Sequence, residues 1–249
     1  MNEIIQQLID RKSIRAFTDE DISEEDRQLI LTAAVNAPTA GNQQLYTILN
    51  ITDPTIKKQL ADSCDHQPFI AKAPMILLFA ADPLKWHDAF RYENCDPRRL
   101  EEEDLILAID DALIAAQNAV TAAWSLGIGS CYIGDIMENR EEQKRILNLP
   151  DNVFPAALLV FGYPTDQQKA RKKPQRAELS DIVQENTYHR RSRSELSAML
   201  ENNFGEGSYQ EHMKAFCNRK FNSDFSREMS RSVREYLDEY GSEMASNKC

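Results

Sequence analysis

The chain has no apolar run approaching the roughly 20 residues that cross a bilayer as a helix; its longest, "PMILLFAA" and "AALLVFG", have the length of buried strands. Its start, "MNEIIQQLIDRK", lacks the basic opening and long apolar core of a secretory signal. The 5 cysteines (Cys64, Cys95, Cys131, Cys217, Cys249) are odd in number, scattered and without a C-x-x-C pair, so neither a disulfide framework nor a zinc site is expected. His66, His87, His189 and His212 share no metal-ligand spacing, and no serine or cysteine carries a nucleophile signature. Positive charge is in deficit too. With 29 Lys and Arg against 40 Asp and Glu the net charge is −11, which excludes the broad basic face that a nucleic-acid partner requires. From these absences a cytoplasmic protein is expected, with no metal, no membrane and no nucleic-acid partner. Any demanding chemistry would have to come from a bound cofactor.

What is present begins with a contradiction of the charge balance. "RKSIRAF" packs Arg11, Lys12 and Arg15 around Ser13, directly after a short apolar helix over residues 2 to 10 and before the acidic "TDEDISEED". So compact a set of guanidinium, ammonium and hydroxyl donors either holds an anion or is a solvated helix end. A second basic patch, Lys172, Lys173 and Arg176, follows a core strand, where a loop can be held against the first helix; two such patches in an acidic chain suit a buried phosphate, or else both only solubilise the surface. Glycines are few, 8 in all, and "LGIGSCYIGD" is not a dinucleotide fingerprint, because after Gly127 and Gly129 the next is Gly134 and the set follows a helix. Gly134 beside Tyr132 and Ile133 lets backbone amides approach a flat ring; the bland reading is a plain turn.

With 42% hydrophobic residues the chain can bury a sizeable core. Ser23 and Asp26 read as a capping box, opening a helix that stops near Pro38. "LYTILNIT" alternates as a strand, Pro54 opens a short helix, and "PMILLFAA" is a buried strand. The stretch from residue 105 to 126 is a helix apolar nearly all round, with Leu105, Ile109, Leu113, Val120 and Trp124 near one face; it should be covered on most sides, in a core or between subunits. Within it Asp110 and Asp111 read as capping or subunit-contact groups. A helix through "REEQKRILNL" and the strand "AALLVFGYP" follow, residues 189 to 222 are polar and weakly patterned, and Met229, Val233, Tyr236, Leu237 and Tyr240 mark a last amphipathic helix closed by Gly241. Few strands among many helices give an α+β or mixed layer arrangement.

Taken in order, "RKSIRAFTDEDIS", "APTAGNQQ", "HQPFIAKAP", "GIGSCYIGDI", "LPDNVFPAALLVFGYP", "KPQR" and "VQENTY" resemble the flavin-dependent nitroreductase family, in the branch of the larger oxygen-insensitive nitroreductases and NADPH-flavin oxidoreductases. The resemblance covers residues 3 to 190, and "REMSRSVREYLDEYG" resembles the branch's C-terminal helix. It implies an α+β, three-layer fold with a central antiparallel-type sheet flanked by helices, forming an intertwined homodimer with FMN at the interface. Residues 1–190 would be the FMN-binding domain and 191–249 a C-terminal extension whose terminal helix packs on the dimer. By the same resemblance Arg11, Lys12 and Ser13 hold the FMN phosphate with Lys173 and Arg176, while Arg15 and Gln67 reach the pyrimidine edge of the ring. Tyr132, Ile133, Gly134 and Asp135 supply backbone contacts along the ring, and Pro38, Thr39, Ala40, Asn42 and Gln43 come from the other subunit. Two departures stand out: Thr39, Ala40 and Gly41 occupy positions where the family often has serines, and Gln175 competes with Arg176 for the phosphate.

The implied activity is two-electron, ping-pong transfer from NADPH or NADH to quinones, nitroaromatics or free flavin. No side chain is assigned catalysis; the flavin N5 carries the hydride, and Arg15 supports the reduced ring electrostatically. A redox sensor, or a specialised flavoenzyme with residues 189 to 222 as a lid, is the alternative.

Overall fold

The computed structural model describes residues 1–201 and 208–240. They form two compact units, Met1–Arg171 with the chain from Glu228 onward, and Lys172–Arg227. Gly241 and Cys249 lie outside the described residues.

In chain order the first unit contains α1 (Glu3–Asp10), α2 (Glu24–Val35), β1 (Tyr46–Asn50), α3 (Pro54–Ser63), α4 (Pro68–Lys72), β2 (Met75–Ala81), α5 (Leu84–Tyr92), α6 (Glu102–Ser125), β3 (Gly129–Ile133), α7 (Arg140–Leu147), β4 (Phe154–Gly162) and α8 (Asp166–Ala170). In the second unit lie α9 (Leu179–Ile182), α10 (Arg193–Glu201), α11 (Tyr209–Lys220) and the start of α12 (Asp224–Leu237), which carries the chain back into the first. The helix ends follow their capping chemistry. Ser23 accepts the Asp26 N–H at 3.0 Å before α2, Asp53 accepts Thr55 and Ile56 N–H before α3, and acidic residues fill the first turn of α6.

The sheet order is β1-β2-β4-β3, antiparallel throughout. All seven residues of β2 are buried, and their alternation feeds two cores. Leu77 and Phe79, with Leu159 and Phe161 of β4, face α2 and α6, whereas Ile76, Leu78 and Ala80 face α3, α4 and α7. This is the expected three-layer α+β arrangement. Against the sheet α6 lays Ala108, Ala112, Ala115, Ala116, Ala119 and Ala123, all fully buried. Small residues let the helix approach a sheet already filled by phenylalanine and leucine, which turns Ile106, Leu113 and Ile114 outward at 58%, 39% and 40% exposure. By length and composition α6 would pass as a membrane span, but its alanine face is that of a core helix.

Beyond β3 the N-terminal segment adds an outer edge: Ser13 bridges Ser130 in parallel, and Phe17 bridges Pro164. Gly129 makes room for it, since a Cβ there would fall 2.5 Å from Ile14 Cγ1. Several elements escaped the sequence reading: the short helices α4, α8 and α9, the glycine-led strand β3, the partly exposed α5, and α10 and α11, which have no buried residue, so residues 189 to 222 include two helices without a marked apolar stripe.

Candidate functional site

The basic heptapeptide is pinned in a defined place. Ile14 N–H donates to Ser130 O at 2.9 Å and Thr18 N–H to Tyr163 O at 2.9 Å, which sets residues 11 to 18 against β3 and the end of β4. The Arg11 and Arg15 guanidinium groups and the Ser13 hydroxyl all act on Cys131, whose thiol burial pushes up and these three pull back down. Arg11 likewise opposes the burial that pushes Tyr132 to about 12. Arg11, Ser13, Arg15 and Tyr132 are therefore one cluster. Arg11 Nη1 is buried and has no hydrogen-bond partner among the described residues. A guanidinium nitrogen withdrawn from water without an acceptor is costly unless a ligand supplies one.

Lys12 is used differently. Its ammonium donates to the carbonyl oxygens of Lys169, at 2.6 Å, and Arg171, at 2.5 Å, leaving one N–H for an anion. Arg171 in turn donates to Ser13 O, and Gln168 Oε1 accepts the Arg15 N–H at 3.3 Å. Neither Arg171 nor Gln168 was singled out from the sequence, although Arg171 sits in the basic run that drew notice. Lys173 and Arg176 belong to the second unit, beyond the Arg171 anchor.

At the end of β3, Gly134 opens a short 3₁₀ turn through Met137, and a Cβ built on Gly134 would meet nothing within 4 Å. Its face is open space, unlike that of Gly129. The next residue, Asp135, accepts a hydrogen bond from Gln67 Nε2 at 2.8 Å. Ile133 is buried at 2% exposure, so what it offers a ligand is backbone. Tyr132 extends its hydroxyl to Gln117 of α6.

Pro38, Thr39, Ala40, Asn42 and Gln43 lie elsewhere. They precede β1, at the sheet edge opposite β3 and the N-terminal segment, several strand spacings of about 4.8 Å away. Asp111, at 2% exposure, holds this loop within its own chain, accepting from the Thr39 hydroxyl, Ala40 N–H at 2.9 Å and Leu45 N–H at 3.0 Å. It therefore staples a loop instead of capping its helix or meeting another subunit. A carboxylate in an otherwise apolar helix was the sequence signal.

A second buried carboxyl lies behind Asp135. Glu138, at 5% exposure, is raised to about 7 by burial first, then by Asp135, Asp65 and Glu228. Between pH 4.5 and about 7 the folded chain thus binds more protons than the unfolded one, and stability falls as pH rises through that window. Glu138→Gln is expected to leave stability unchanged at pH 5 and to raise it at pH 8 by about 2 kcal/mol, after discounting for residual solvent contact. Urea midpoints at the two pH values measure this; an equal effect at both would remove the buried-charge account.

The described cysteines are free, and Cys64 is pushed up to about 12 by burial, so it is no nucleophile. No group of His, Cys, Asp and Glu able to hold a metal occurs among the described residues.

Fold and cluster together define an α+β protein whose cationic N-terminal segment is laid along one sheet edge, beside an open glycine turn. The chain belongs to the nitroreductase family, whose model matches residues 8–163. It is 33% identical over 242 residues to an FMN reductase (NAD(P)H) of Bacillus subtilis, spanning 96% of this chain and 92% of that protein. It is 34% identical over 189 residues to an oxygen-insensitive NADPH nitroreductase of Salmonella typhimurium, covering 76% and 75% of the two chains. Among solved structures, the NfrA1 nitroreductase from B. subtilis superposes with a TM-score of 0.80 at 26% identity, over 95% of this chain and 98% of that one.

FMN suits the residues present. An orphaned buried guanidinium nitrogen, a serine and a lysine make a donor set for a phosphate, and an open glycine turn leaves room for a ring.

Proposed function

We propose that this chain is an FMN-dependent NAD(P)H oxidoreductase, an enzyme that passes two electrons in ping-pong fashion to small acceptors such as quinones, nitroaromatics or free flavin. The observation that carries the reading is the buried, unpartnered Arg11 Nη1 beside β3. Bound FMN would supply the hydride chemistry. The chain's own residues would bind and orient: Arg11, Ser13 and the remaining N–H of Lys12 on the phosphate with Lys173 and Arg176, Arg15 and Gln67 on the pyrimidine edge, and the backbone of Tyr132, Ile133, Gly134 and Asp135 along the ring. A fixed guanidinium at Arg15 favours negative charge on that edge.

The working form is a homodimer. Ile4, Ile5, Leu8 and Ile9 of α1 are about half exposed or more, as are Ile106 and parts of Leu113 and Ile114 on α6, an apolar surface that calls for a covering protein. The loop from Pro38 to Gln43 lies at the far edge of its own sheet, which supports its completing a partner's site. Light scattering should find a dimer at micromolar concentration; a flavin-loaded monomer would count against it.

The purified protein should be yellow with about one FMN per chain and should oxidise NADPH faster when a quinone is added. Colourless protein that takes up no FMN would overturn the proposal. Arg11→Ala should weaken FMN binding by roughly 10- to 100-fold, the loss of one charge-assisted contact of about 1.5–3 kcal/mol. Flavin fluorescence titration reads the change, and unaltered affinity would remove Arg11 from the phosphate.

A further inference from the structure

A cleft of about 390 Å³ opens between α5 and the start of α6. It lies wholly in the first unit, with Leu45 just before β1 in its lining, at the sheet edge opposite the Arg11 and Arg15 segment beside β3. Most of the lining is apolar: Leu45, Trp86, Phe90, Leu100 and Leu107. Trp86 and Phe90 stand one turn apart on α5, with ring centroids 5.7 Å apart and planes tilted by 45°, so two aromatic rings border the same space. The Trp86 indole N–H donates to Gln43 O at 2.6 Å, which fixes its ring and leaves it no free donor. Phe90 remains 39% exposed, a large ring without a full cover.

One polar group in the lining is unaccounted for. His87 is only 6% exposed, and its Nδ1 is buried with no hydrogen-bond partner among the described residues. Such a nitrogen is costly unless a ligand or water meets it. Imidazole donates or accepts according to its tautomer, and a hydroxyl can answer either. Charge narrows the class further. Arg98 is committed to Asp104, at 2.6 Å and 3.1 Å, while Glu103 adds a second carboxylate 3.8 Å from Arg98, so the lining is negative on balance and repels an anion. An apolar cleft of this size with a buried polar group in its lining has the ordinary form of a small-molecule site.

We infer that the cleft binds a small neutral aromatic carrying a hydroxyl, its ring against Trp86 and Phe90 and its hydroxyl on the His87 imidazole. This goes beyond the FMN reading and does not rest on it.

The test is calorimetric titration of the purified full chain with 1-naphthol and with 1-naphthoate, an anion of similar size. 1-Naphthol should bind with a dissociation constant below about 100 μM, and 1-naphthoate about 10-fold more weakly or worse. Phe90→Ala, at an exposed position, and Leu107→Trp, which fills the cleft, should each weaken 1-naphthol by about 10-fold or more. His87→Phe keeps a ring but removes the polar partner, and should weaken it by about 5-fold or more. In ¹⁵N NMR the imidazole signal that is missing from His87→Phe should move when 1-naphthol is added, and the visible absorbance of any bound flavin should not. No binding of 1-naphthol, equal binding of 1-naphthoate, or affinity unchanged in Phe90→Ala and Leu107→Trp would overturn the inference. So would a shift of the flavin spectrum, which would put the ligand on the flavin. A chain that takes up no FMN yet binds 1-naphthol as described would overturn the flavin reading and uphold this one.

Discussion

Glu239→Ala should lower the free energy of unfolding by about 3–5 kcal/mol, the cost of breaking a buried ion pair from one side. The Glu239 side chain is 8% exposed, and its Oε1 accepts from Arg140 Nε at 3.0 Å, from Arg140 Nη2 and from Lys144 Nζ at 2.6 Å, while Oε2 accepts the Asn152 N–H at 2.8 Å. Arg140 and Lys144 are themselves only 18% and 14% exposed. Removing the carboxylate takes away the acceptor of the Arg140 guanidinium and of the Asn152 N–H, while Lys144 keeps its other partner, Asp151, at 2.6 Å. The same contacts fasten the chain after α12 to α7 and to Asn152 just before β4, next to Tyr236, which packs edge-on to Phe154 with ring centroids 5.0 Å apart. Glu239→Gln keeps an acceptor and should lose less. Chemical denaturation of both variants decides; a loss under 1 kcal/mol for Glu239→Ala would show that the cluster is solvated and contributes little.

Asp111→Ala should cost about 2–4 kcal/mol, because one buried carboxylate satisfies a hydroxyl and two backbone N–H groups, of which that of Leu45 is buried. The loop it holds is strained, with Gly41, Asn42 and Gln44 all left-handed, at φ 56°, 58° and 51°. Without Asp111 the loop keeps the Trp86 indole N–H on Gln43 O at 2.6 Å and the Gln44 bonds to Thr39 Oγ1 and Val35 O. The Ala40 and Leu45 amides should then exchange with solvent at least 10-fold faster, and FMN should be held more weakly if the loop serves a partner's site. A stable variant with protected amides would show that the loop is held by other contacts.

The sequence by itself settled the layer class and the long elements. The capping serine before α2, the asparagine-free apolar run of β2 and the acidic first turn of α6 are local signals, written within a few residues of the structure they specify. It also singled out the basic heptapeptide as anomalous in a chain of net charge −11. Tertiary structure alone decided the rest. That Lys12 spends itself on the carbonyls of Lys169 and Arg171, that Asp111 reaches back to Thr39, and that Gln67 meets Asp135 are pairings between residues 68 to 159 positions apart. No local pattern encodes such a pairing, since each depends on how strands β1 to β4 are ordered. Likewise Gly129 and Gly134 look alike in sequence, yet one is filled by Ile14 and the other faces open space, a difference fixed by what the sheet edge brings alongside. The reason is physical: periodicity and capping act over one or two turns of chain, whereas a hydrogen-bond partner across the fold is chosen by packing.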